Sequence, residues 1–357
     1  MAAPASLLRH PPFALFWWGR VATTVAFQMQ AVAIGWQVYD FTGSALDLGL
    51  VGLTQFIPGF ALSLVVGQIA DRYDRRRILR LCQGVEALAA AALALGSVFG
   101  WLGTGALFAA VFVIGAARAC ELPTIHALMP QLVPSALIPR AAAASASSNQ
   151  TAIILGPALG GLAYALGPGV VYALCCVGFL AASVLISLIR VELPAPRREK
   201  LSLASLFGGI AFVRGHKSVM GAISLDLFAV LLGGATALLP IYARDILMTG
   251  PWGLGLLRSA PALGALAASV LLARRPLRGG VGRIMFAAII AFGIATIVFA
   301  VSTSFPLSLA ALAVLGASDA VSVVIRFSLV QIETPDEMRG RVSAVNSMFI
   351  GASNSLG

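Results

Sequence analysis

The sequence predicts an all-α integral membrane protein whose helices fall into two related groups. Of its 357 residues, 59% are apolar and 11% charged, with a mean hydropathy of +0.94; soluble domains run at roughly 45–50% and about 25%. Ten apolar runs are long enough to cross a hydrocarbon core about 30 Å thick, and an eleventh begins near Val342 and stops at Gly357. The chain also repeats itself. A shift of 201 residues lays Gly115 on Gly316, Pro134 on Pro335 and Arg140 on Arg341, and a shift of 206 lays Arg72 on Arg278 and Arg77 on Arg283.

The first expected span, 13–39, has Trp17 and Trp18 near its entry, placed as interfacial anchors. Further along it are Gln28, Gln30, Trp36 and Gln37, polar and aromatic groups suited to contacting a large amphipathic ligand. Spans follow at 46–69, 78–99, 104–128, 141–166 and 169–189, and Pro194 and Pro196 stop the sixth. The chain therefore divides into a first bundle, 1–190, a connector, 191–217, and an incomplete second bundle, 218–357. Within the connector, Leu201 to Val213 is apolar enough to lie along a membrane surface, with a plain linker as the alternative. The second group has spans at 218–242, 253–273, 284–302 and 305–331.

Orientation follows from where the basic residues fall. Nineteen of the 24 Lys and Arg lie at one face, only Arg244 at the other, and Arg20, Arg118, Arg258 and Arg326 within spans. The basic face is expected to be cytoplasmic, with the N-terminus on that side of a plasma (inner) membrane crossed many times. The net charge of +10 is thus a topology signal and implies no nucleic-acid partner. The opening MAAPASLLRHPP lacks a signal-peptide layout, so the first run is expected to be retained. Cys82, Cys120, Cys175 and Cys176 sit in or at the edge of apolar runs and read as packing residues, not as a disulfide set or metal site.

Between the second and third spans stands GQIADRYDRRR, with Gly67 and Asp71 one helical turn apart where a helix leaves the membrane. Gly67 lets another helix approach closely. Asp71, at the negative end of its own helix, needs the following arginines or the positive N-terminus of a neighbouring helix, which has the form of a latch. The pattern Gly67, Asp71, Arg72, Arg75, Arg76 resembles the signature loop between helices 2 and 3 of the major facilitator superfamily. That resemblance implies two pseudo-symmetric six-helix bundles, here truncated within the eleventh helix. At the repeat position of Asp71 stands Leu277, so the latch is expected in the first half only.

The run GPALGG, with Gly156, Pro157, Gly160 and Gly161, resembles the helix-5 pattern of superfamily antiporters associated with export, although Ala152 stands where that pattern starts with Gly. Charges inside spans, each costing about 2.5–3.5 kcal/mol at a helix centre, are Arg20, Glu86, Arg118, Glu121, Asp226, Arg258, Asp319 and Arg326. Six of these eight fall on the first, fourth, seventh and tenth spans, which line the central cavity in the resembled fold. The repeat offsets lay Arg118 over Asp319 and Arg20 over Asp226, so opposite charges stand at equivalent positions. The cavity and proton-coupling candidates are Arg20, Arg118, Glu121, Asp226, Asp319 and Arg326, with structural ion pairing as the rival role. Arg118 lies near the superfamily's helix-4 arginine, but the ACELP after it departs from that motif.

LLPIYARDIL and TPDEMRGRVSAVN resemble the exporter branch that holds enterobactin exporters and macrolide-efflux-type proteins. The resemblance implies a monomeric secondary transporter that exports a small amphipathic compound, a siderophore or drug, by proton antiport, drawing on the proton gradient and using no cofactor. No Gly-x-x-x-x-Gly-Lys-Ser/Thr loop is present, and the chain has only two lysines, Lys200 and Lys217. The rivals are an uptake permease of the same fold, an integral membrane enzyme, and a transport-dead sensor or fragment. An enzyme is disfavoured because His10, His126 and His216 lack metal-ligand spacing and no catalytic cluster stands out.

Overall fold

The computed structural model describes residues 7, 10–191, 215–216, 220–221, 224, 236–274 and 280–334; along 63–72 and at 331–332 the description is of backbone alone. Nine long helices stand among the described residues: α1 (Pro11–Thr42), α2 (Ala45–Arg72), α3 (Arg75–Phe99), α4 (Thr104–Leu128), α5 (Ile138–Tyr164), α6 (Pro168–Ser187), α7 (Gly250–Arg274), α8 (Val281–Val301) and α9 (Phe305–Glu333). Most of the expected seventh span, the connector and the eleventh helix lie outside the described residues.

The helices overrun the apolar stretches that announce them, because charged and proline residues serve their ends. Pro11 opens α1, where a missing N–H costs nothing, and Gly43 closes it at φ 61° with its N–H on the Tyr39 carbonyl. α3 begins at Arg75, not at 78, leaving only Tyr73 and Asp74 between α2 and α3. Asp74 is the reason: its carboxylate caps the helix by accepting from the Arg76 N–H at 2.9 Å. Between spans expected to end at 69 and to start at 78, the link is therefore a two-residue turn, and Arg75 and Arg76 stand in the first turn of α3. The seventh span, expected to end at 242, continues past Leu239–Ile241 as a wider π turn, Tyr242–Ile246, closed by Leu247 N–H on Tyr242 O at 2.7 Å.

Among the described residues seven helices are long and apolar enough to cross a membrane, and α1 and α5 are not among them. Both are long enough, at 32 and 27 residues. They carry the glutamines and serines, Gln28, Gln30 and Gln37 on one and Ser145, Ser148 and Gln150 on the other, which lower their hydropathy. Those side chains go inward: Gln30, Gln37, Ser145 and Ser148 are all buried. Outward faces are apolar instead, as along α3, where Leu81, Leu88 and Leu95 recur every seventh residue and are 71%, 73% and 53% exposed. Apolar outside and polar inside suits lipid as the solvent.

The chain forms two compact units, Met1–Glu199 with Gly250–Gly255, and Lys200–Thr249 with Leu256–Gly357. In the first, α3 lies along α6 and α4, α1 packs on α5 and α6, and α2 on α4. An apolar cluster including Phe13, Phe16, Leu79, Leu128, Ile186 and Ile189 closes one end. In the second, α8 packs along α9.

The internal repeat is a repeat of packing. Gly115 in α4 has no room for a side chain, since a Cβ there would lie 2.5 Å from the Gln55 carbonyl oxygen of α2. Gly316 in α9 meets the Pro261 carbonyl of α7 in the same way. Gly316 is Gly115 shifted by 201, and Pro261 is Gln55 shifted by 206. One close backbone crossing is thus built once in each unit.

Candidate functional site

The most developed polar site among the described residues lies inside the first unit, between α1, α3 and α4. Arg118 donates to Glu121, Nη1 to Oε2 at 2.6 Å, across one turn of α4. The Glu121 side chain is wholly buried and that of Arg118 is 16% exposed. From α3, the Gln83 amide donates to the other Glu121 oxygen at 3.4 Å and to Thr23 Oγ1 of α1 at 3.3 Å. Phe27 on α1 supports the guanidinium, whose Cζ stands 4.3 Å from the ring centroid. Arg20, half-buried one turn before Thr23, lies within electrostatic reach of both Arg118 and Glu121. Glu86, one turn after Gln83, is fully buried.

Farther along α1, Gln37 accepts from the Tyr172 hydroxyl of α6 at 2.7 Å and donates to Ser97 of α3 at 3.4 Å. Thr23 with Gln83 and Gln37 with Ser97 are each 60 residues apart, so α1 and α3 run parallel in one register. The ligand-contact candidates on α1 divide by face. Gln30 is buried with neither amide atom hydrogen-bonded. Gln28 lies under Gly156, where a Cβ would stand 2.5 Å from its own. Trp36 faces the Tyr164 ring at 6.3 Å. Trp17, expected as an interfacial anchor, instead donates its indole N–H to the Ala144 carbonyl of α5 at 3.2 Å, while Trp18 stays 54% exposed.

In the GPALGG run, Gly156 and Gly160 both sit against α1, and a Cβ on Gly160 would fall 2.7 Å from Met29 Cα. Gly161 meets the Pro251 carbonyl in the opening turn of α7, which belongs to the same unit. Pro157 is buried within α5.

Of the GQIADRYDRRR residues, Gly67, Asp71 and Arg72 lie on the last turns of α2 and their side chains are outside the described residues. Arg75 is half-buried, with its Nε unbonded. Arg76 pairs with Asp74 at 2.9 Å and gives Nη1 to the Ile189 carbonyl at 2.9 Å, tying the start of α3 to the end of α6. These Arg76 bonds hold the Asp74 carboxyl below the usual carboxylate range. Asp74 escaped the motif reading, although an Asp ahead of a basic, then apolar, run is an N-cap signal.

The second unit holds half-buried Arg258 in α7, half-buried Asp319 in α9 and Arg326, 2% exposed, in α9. Asp226 lies outside the described residues. Arg118 has a carboxylate partner on its own helix, Glu121. Gln83, Thr23 and Tyr172 are parts of the polar core that span-by-span reading missed, since an uncharged Gln or Thr in an apolar run raises no flag.

The profile of a family described as transmembrane secretion effector matches residues 2–356. The chain belongs to this major facilitator family. Its relatives are transporters, not enzymes. The enterobactin exporter EntS of Shigella boydii serotype 4 (strain Sb227) is 26% identical over 95% of this chain and 82% of its own length. Macrolide efflux protein A of Streptococcus pyogenes is 24% identical over 73% of this chain, and the match spans 65% of that protein's length. Among solved structures, a bacterial homolog of the human lysosomal transporter Spinster, inward-facing and unoccupied, superposes with a TM-score of 0.76 at 14% identity, covering 99% of this chain and 81% of that one. A bacterial homologue of the iron transporter ferroportin gives 0.72 at 18% identity, covering 99% and 91%. The chain is thus a multi-pass membrane protein with the major facilitator fold.

Proposed function

We propose that the chain is a secondary active exporter that moves a small amphipathic compound, a siderophore or drug, outward by proton antiport. It works by alternating access, as a monomer in the inner membrane, with its N-terminus on the cytoplasmic face. The carrying observation is the charge network of the first unit, where half-buried Arg20 of α1 stands within electrostatic reach of Arg118 and of buried Glu121 on α4, a helix long and apolar enough to cross a membrane. Such charges are costly in lipid and persist where they mark ion or proton paths. A proton entering this network changes the balance of charge around the Arg118 guanidinium, and with it the preferred arrangement of α1, α3 and α4. Efflux proteins among the relatives, and Gly156 and Gly160 seated on α1, support the outward direction.

Purified protein in liposomes, with a pH-sensitive dye inside and a range of siderophores and hydrophobic cations outside, tests the reading. Substrate-dependent proton movement opposite to the substrate is expected. Movement in the same direction makes it an uptake permease, and substrate flux indifferent to a collapsed pH gradient overturns the coupling.

A further inference from the structure

We propose that Glu86 is a proton-binding site of the first unit, its carboxyl proton donated to the side-chain oxygen of Gln83. This deepens the antiport reading, on which it rests only for the use made of the proton.

The cluster is short of one donor. Glu86 is 0% exposed, and neither of its carboxylate oxygens has a hydrogen-bond partner. One turn earlier on α3, the Gln83 Oε1 is likewise buried and unbonded, because the Gln83 amide N–H groups are turned to Thr23 and Glu121. Three buried acceptor atoms, one turn apart on α3, therefore lack a hydrogen. Glu121 is different, since one oxygen receives Arg118 and the other receives Gln83. A proton entering this core finds Glu121 already supplied and Glu86 not. On Glu86 it makes an O–H, the donor that Gln83 Oε1 lacks. The proton comes from water and returns to water, and no other bond is made or broken.

The groups that act on Glu86 are Glu121 and Arg118 of α4. Arg20 of α1 acts on that pair, and Cys82 and Cys120 lie beside it. On α6, packed along the other side of α3, the titratable side chains are Tyr172, Cys175 and Cys176. The Tyr172 hydroxyl is given to Gln37 and the Cys175 thiol to the Ala26 carbonyl. One guanidinium thus stands near two buried carboxylates. With Glu86 protonated, Arg118 belongs to Glu121 alone, as seen. With Glu86 ionised, the two acids compete for it and draw α3 toward α4, because an uncompensated buried charge is expensive.

Infrared difference spectra between acid and alkaline pH, recorded on the whole chain in lipid nanodiscs, test this without any transported compound. The wild type is expected to show the C=O stretch of one buried protonated carboxyl. Glu86→Gln, which keeps size and supplies its own donor, loses that band, while Glu121→Gln keeps it. Gln83→Leu, which removes the acceptor, moves it to higher frequency. No such band in the wild type, or a band that survives Glu86→Gln, overturns the inference. A Glu86 band in a protein whose efflux ignores the pH gradient supports the site and refutes antiport alone; an antiporter without the band refutes the site alone.

Discussion

Replacing the Arg118–Glu121 pair with apolar side chains separates a working charge pair from a scaffold. At 2.6 Å, and with an effective dielectric constant of about 20, their attraction amounts to about 6 kcal/mol. Against it stands the loss of hydration, still several kcal/mol for each ion in a real interior. The two nearly cancel, so the intact pair adds little net stability. Removing one partner does not cancel. Arg118→Met leaves the fully buried Glu121 with Gln83 as its remaining donor and Glu86 nearby. Glu121→Leu leaves Arg118 beside Arg20. Each single change is expected to cost about 3–5 kcal/mol of folding stability, and the double change to be neutral or stabilising by about 1–4 kcal/mol.

Unfolding in mixed micelles, followed by reaction of a thiol reagent with buried Cys175 on α6, reads these differences on a helix that carries neither substitution. The same double variant in liposomes is expected to fold and yet lose proton-coupled efflux. Single substitutions costing under about 1 kcal/mol would show that the pair is screened as a surface pair is. A double variant that recovers both stability and coupled efflux would show that the charges only hold helices together.

Gly115→Ala and Gly316→Ala should each destabilise their own unit by about 1–3 kcal/mol through overpacking, measurable as a lowered unfolding midpoint; a neutral result at either would mean that the helices part freely there. Asp74→Ala should cost about 0.5–2 kcal/mol, the usual worth of an N-cap. Because the Arg76 bonds depress the Asp74 pKa in the fold, that contribution is complete above the unfolded value of about 3.9 and is lost as pH falls through the lower folded value. Unfolding midpoints of wild type and Asp74→Ala should therefore differ at neutral pH and converge in acid, and a gap that widens in acid contradicts this sign. Asp71→Asn, which keeps size and removes charge, is expected to slow efflux at unchanged expression, and normal turnover removes Asp71 from any latch.

The helices were legible because lipid imposes one requirement, a long apolar run, that composition displays directly. Their ends were not, because ends are set by single atoms. The Asp74 carboxylate starts α3 three residues before its apolar stretch. The charged candidates Arg20, Arg118 and Glu121 could be named from cost alone, and the structure gathers them. What stayed hidden was which residue answers which. Gln83 reaches Thr23 and Glu121 from a third helix, and it takes the register of α3 on both α1 and α4 to bring those three together.

That register also shows what the duplication retained. The crossing of residues 55 and 115 reappears at 261 and 316, and α3 and α8 begin 206 residues apart, as Arg75 and Val281. At the same offsets Gln83 becomes Ile289, Glu86 becomes Phe292 and Glu121 becomes Ser322. Ile289 packs against an apolar cluster of Met285 and Ile325 between α8 and α9. The second unit thus keeps the packing, puts hydrocarbon in place of Gln83 and Glu86, and keeps polar groups, Asp319 and Ser322, in place of Arg118 and Glu121. A helix crossing depends on backbone approach and tolerates any chemistry beside it, whereas a buried acid is tolerated only with its donors close by. Once Gln83 was matched by an isoleucine, a carboxylate at position 322 would have lost that donor. A proton site built from Gln83, Glu86 and Glu121 belongs to one unit, and a charge change there biases α3 against α4.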